Sequence, residues 1–69
     1  MMKFKNFLLV LDEGQKLRIQ VVNKNYKSVK TIRTAYPDEI DDKYLDYELL
    51  EGIYYNEIYN RLMINIKEV

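Results

Sequence analysis

The chain has 69 residues, eleven Lys/Arg balanced by eleven Asp/Glu, and neither cysteine nor histidine. A chain of this length forms one small domain, residues 1–69, and buries only about 60% of its unfolded surface, so its core is marginal. The missing residues exclude disulfides, thiolate zinc sites and the commonest general base, and an apolar and aromatic content of 48% excludes a disordered chain.

Along the chain, Phe4, Phe7, Leu8 and Leu11 follow the i, i+3, i+4, i+7 rule, which predicts a short amphipathic helix over residues 3–12. Its apolar run FLLVL is short and is followed at once by Asp12 and Glu13, without a small-residue cleavage site. That argues against a secretory signal. No stretch approaches the length of a membrane span. Gly14 is expected to stop the helix in the left-handed conformation.

In KLRIQVV, Leu17, Ile19 and Val21 alternate with Arg18, Gln20 and Val22, the period of a half-buried strand. Asn23–Asn25 signals a turn. YKSVKTIRT follows, rich in β-formers, although Val29 and Ile32 fall on opposite faces unless a bulge intervenes. Residues 16–34 are therefore expected to form a β-hairpin.

Pro37 disfavours helix at Tyr36 and itself suits a first helical residue. DEIDDKYL then reads as one helical turn with acid at its N-terminus, where the helix dipole favours it. At the end, Leu62, Ile64 and Ile66 alternate with Met63, Asn65 and Lys67, a strand whose nearest antiparallel neighbour is YELLEGIYY. The expected fold is α+β, a short N-terminal helix packed on a small antiparallel sheet of about four strands. The alternative is two helices with a β-hairpin, the second helix spanning 41–60. Seven of the nine aromatics are tyrosine, whose apolar body and polar tip suit the edge of a small core.

The segments FLLVLDEGQKLRIQV, EIDDKYLDYELLEGIYY and RLMINI give a layout that resembles short accessory proteins of phages, prophages and mobile elements of low-GC Gram-positive bacteria. That pattern has an apolar helix ending in LD, a strand, an acidic segment and a last alternating strand. This chain departs from it at Asp41, where the pattern has proline. The resemblance implies a protein acting in a host-cell cytosol, in a group that includes inhibitors of host defence. It brings no catalytic residues.

Enzyme chemistry finds little support. A calcium loop starting at Asp38 would need glycine where Lys43 stands and a bidentate glutamate where Leu49 stands. Ser28 is the only serine, and Gly14 and Gly52 stand alone, so neither a serine nucleophile with a base nor a phosphate loop is present. Two carboxylates could serve a glycosidase only in a cleft that a domain this small rarely encloses. No enzyme, cofactor or metal is expected.

Charge distribution is the informative feature. Residues 1–34 carry eight Lys/Arg and two acids, a net of +6, and residues 35–69 carry three Lys/Arg and nine acids, a net of −6. If the halves interleave, these charges mix on the surface. If they stay apart, the acidic stretch can be a binding face for a host protein, imitating the charge row of nucleic acid for a basic partner. Asp38, Glu39, Asp41, Asp42, Asp46 and Glu48 would supply the field, and Tyr36, Tyr44 and Tyr47 the apolar anchors. Alternatively the basic hairpin binds nucleic acid, with Lys16, Arg18, Lys24, Lys27, Lys30 and Arg33 on phosphates and Tyr26 as a stacking platform. The nearby acids and a pI near 6.2 oppose that. A third arrangement sets the positive half of one chain against the negative half of another in a homodimer.

Overall fold

A computed structural model describes residues 2–69. Five strands form one sheet: β1 (Leu17–Val22), β2 (Ser28–Ala35), β3 (Glu48–Leu49), β4 (Tyr54–Asn56) and β5 (Arg61–Lys67). An α-helix, α1 (Phe4–Leu8), precedes them, and two 3-10 turns, Pro37–Glu39 and Asp42–Tyr44, lie between β2 and β3. The sheet order is β2-β1-β5-β3, with β4 also paired to β5. The architecture is α+β as expected. The second helix of the alternative is absent among the described residues, because 41–60 divides into a 3-10 turn and two short strands.

The sheet is mixed rather than antiparallel. β1 and β5 lie side by side in parallel, Leu17 opposite Leu62, Ile19 opposite Ile64 and Val21 opposite Ile66. Both strands alternate in period two, so the parallel register puts their apolar residues on one face. That face, with Phe4 of α1 and Tyr44 of the second 3-10 turn, forms the buried core. Its reverse carries Arg18, Gln20, Met63 and Asn65, all half-buried. There Gln20 accepts a hydrogen bond from Thr31 Oγ1 at 2.7 Å and donates to the Lys30 carbonyl at 3.2 Å, a polar tie across β1 and β2.

The hairpin is present as expected, β1 and β2 pairing antiparallel. Asn23 closes the turn, its Oδ1 accepting from the amides of Asn25 and Lys27 at 2.9 and 3.1 Å. Two register shifts interrupt the ladder, one of them skipping Val29, but residues 30–32 pair without a bulge, so Val29 stays exposed while Ile32 packs against the core.

Three local expectations change. The helix is five residues long, and the chain leaves it through i→i+3 bonds, Val10 N–H to the Phe7 carbonyl and Leu11 N–H to the Leu8 carbonyl. So short a helix has little stability of its own and is held by packing. Accordingly Phe4 is fully buried while Leu9 and Val10 are exposed. Nor is Gly14 the left-handed stop. Asp12 makes the turn by accepting the Gly14 amide at 2.8 Å, and Gly52 is the glycine at positive φ. Finally, YELLEGIYY does pair antiparallel with β5, but as two pieces, β3 and β4, on either side of Gly52 at φ 90.

Candidate functional site

The acidic segment runs as a strap over the core face of the sheet. Lys5 N–H donates to the Leu45 carbonyl at 2.9 Å, Phe4 N–H to Tyr47 at 2.8 Å, and Leu49 N–H to Met2 at 2.8 Å, so main-chain bonds fix the strap against the N-terminal helix. Several of its acids have local tasks. Glu39 Oε1 accepts the Tyr36 amide at 2.9 Å and closes the first 3-10 turn. Asp41 caps the second turn by accepting the Lys43 amide at 3.0 Å. Asp46 lies 3.0 Å from Lys5 Nζ and 3.6 Å from Lys3 Nζ. The hydrogen bond and charge of Lys5, then the charge of Lys3, hold its carboxyl below the usual carboxylate range. Glu48 pairs with Lys67 at 3.6 Å across the β3–β5 register.

One proposed anchor is misplaced. Tyr44 is only 5% exposed and belongs to the core, its ring edge-on to Tyr47 with centroids 5.3 Å apart. It offers no surface to a partner, because the 3-10 turn after Asp41 aims it inward. Tyr36 and Tyr47 are half-buried, and Asp38, Glu39, Asp41 and Asp42 are exposed. The two halves of the chain therefore mix at Asp46, where the strap meets Lys3 and Lys5. They do not mix along 38–42.

The basic hairpin behaves differently. Lys24, Lys27, Lys30 and Arg33 are exposed, Lys16 and Arg18 are half-buried, and none of the six belongs to an ion pair among the described residues. Tyr26 is exposed at the tip with φ 62, a left-handed conformation unusual for an aromatic residue, and Lys67 Nζ lies 5.0 Å from its ring centre. Tyr26 also borders an open depression with Glu48 and Glu51, whose charge repels phosphate.

The largest exposed apolar feature went unassigned in the sequence. Ile53, Tyr54, Tyr55, Ile58 and Tyr59 are all exposed on the β4–β5 hairpin. The signal was the run IYYNEIYN, apolar but matching neither helical nor strand period throughout. At its base the Arg61 guanidinium lies 5.5 Å from the Tyr59 ring centre, and its buried Nε has no hydrogen-bond partner among the described residues.

Among the described residues no group of three or more carboxylates is placed to hold a metal ion, and no helix is long and apolar enough to cross a membrane. Comparison of the chain with protein-family models, with curated proteins and with solved structures finds no match.

Proposed function

We propose that this protein is a non-enzymatic interaction module, encoded by a phage or mobile element, that binds and inhibits a host protein in the cytosol. Its binding face is the exposed acid run Asp38, Glu39, Asp41 and Asp42, flanked by Tyr36 and Tyr47. The observation that supports this is the lack of compensation: these four carboxylates follow one another in exposed positions and join no ion pair among the described residues. Such a row suits a basic partner, including one that binds nucleic acid, and would speed its association. Asp46 and Glu48 contribute less, since each already has a lysine.

The test is Asp38→Lys combined with Asp42→Lys, which spares the caps made by Glu39 and Asp41. Capture of the partner from host lysate at about 150 mM salt should fall roughly tenfold or more, with the melting temperature unchanged. Undiminished capture would sink the acidic-face reading.

A second reading draws on the hairpin, whose six cations join no ion pair among the described residues and whose tip holds an exposed, conformationally strained Tyr26. Strain of this kind accumulates at functional positions. In that reading single-stranded nucleic acid binds along β2 and stacks on Tyr26. Retardation of a labelled oligonucleotide at about 50 mM salt, weakening steeply as salt rises, is the expected result. No retardation at low salt removes this reading.

A further inference from the structure

Three strands lie at the edges of the sheet: β3 is covered by residues 2–3 through the Leu49 N–H to Met2 carbonyl bond and the Lys3–Glu48 bridge, while β2 and β4 are protected to different degrees. Edge strands present unpaired N–H and C=O groups, and proteins block them with lysine, proline, bulges or covering segments. β2 has such protection: Lys30 and Arg33 sit within it, Lys27 precedes it, and two register shifts break its ladder. Two copies pairing through β2 would bring cations together. β4 has none of this. Its residues are Tyr54, Tyr55 and Asn56, without charge, proline or register shift, and β5 alone pairs with it among the described residues.

We infer that a second copy of this chain pairs antiparallel with β4 about a two-fold axis, joining the two sheets into one. Three observations favour a copy of the same chain as occupant. A short antiparallel strand is self-complementary in its main-chain groups, so a two-fold axis at Tyr55 sets Tyr55 against Tyr55 and Tyr54 against Asn56, with no like charges opposed. The side chains beside the edge are mostly apolar or aromatic, Glu57 being the one charge in residues 53–60, and Ile58 at the hairpin tip is 86% exposed. If a buried tyrosine covers about 200 Å², the exposed parts of Ile53, Tyr54, Tyr55, Ile58 and Tyr59 amount to at most roughly 500 Å² per chain, about 1,000 Å² for the pair, the size of a weak, concentration-dependent interface. This contact uses other residues than the acid run, so either can fail without the other.

Sedimentation equilibrium of the full chain from about 10 μM to 1 mM should show a monomer–dimer equilibrium, the range expected for an interface at the low end of the size scale. Tyr54→Lys places a cation on the unprotected edge and should weaken the dimer at least tenfold. Val29→Lys, on the opposite edge, should leave it unchanged. Ile58→Lys provides a second disruption at an exposed site if Tyr54→Lys unfolds. Hydrogen exchange provides a readout without mutation: the outward amides of Tyr54–Asn56 should gain protection as concentration rises. A protein monomeric at 1 mM overturns the inference, as does a dimer sensitive to Val29→Lys and not to Tyr54→Lys, or exchange in β4 that ignores concentration.

Discussion

In the β1–β2 hairpin, Lys24, Lys27, Lys30 and Arg33 stand exposed and outside every ion pair among the described residues, and the aromatic ring at the tip faces solvent. In the strap, residues 36–48, Glu39 and Asp41 hold turns, Asp46 and Glu48 hold lysines, and Tyr44 fills the core. The two segments carry comparable charge of opposite sign. What separates them is local geometry. A strand extends its side chains away from its own backbone, so charge on an exposed strand stays free. Tight turns bring carboxylates within reach of amides two or three residues away, and these acids are partly consumed. The charge a segment carries is therefore a poor guide to the charge it offers a partner.

This contrast can be broken most directly at the two tyrosines. Tyr44→Ala should cost about 3 kcal/mol by urea denaturation, as expected for truncating a buried aromatic. Tyr26→Ala should change stability by no more than about 0.5 kcal/mol. Equal effects would mean that the strap is not part of the core. A smaller effect separates adjacent acids. Asp41→Ala should cost about 1 kcal/mol through loss of its cap, while Asp42→Ala should stay within about 0.5 kcal/mol.

The smallest effect belongs to Asp46. Its carboxyl is held below the usual range in the folded protein by Lys5 and Lys3, so its ionised form favours folding. That contribution is present at neutral pH, begins to shrink as pH falls below the unfolded value of about 4, and vanishes below the folded value. Asp46→Asn should therefore lower the melting temperature slightly near pH 6 and not at all in strong acid, with the difference fading at high salt. A carboxyl titration by NMR should place the Asp46 midpoint below the ordinary aspartate range. A midpoint in the ordinary range would show that the lysine contacts are not maintained in solution.

Much of the sheet was legible. The alternations at 17–22 and 62–67 located β1 and β5, and Asn23 with its neighbours located the turn between β1 and β2. The acid run was equally visible. The role of Tyr44 was not, because an aromatic flanked by Lys43 and Leu45 has no periodicity to assign it a face. The break between β3 and β4 was only partly visible: Gly52 marked it, but β-formers on both sides suggested one strand. α1 was overextended because Leu11 does pack on the core at helical spacing, although the chain reaches it through a tightened turn.

The sequence alone determined the class of the domain, its two best strands, the hairpin, and the separation of basic from acidic residues, since period, turn chemistry and charge are local properties. Only the tertiary structure decided that β1 and β5 lie parallel at the centre of the sheet. That pairing joins residues far apart in the chain, and alternation fixes which face is apolar without fixing the neighbour or its direction. The same long-range packing decided which acids meet lysines, which tyrosine is buried, and which sheet edge is left unprotected.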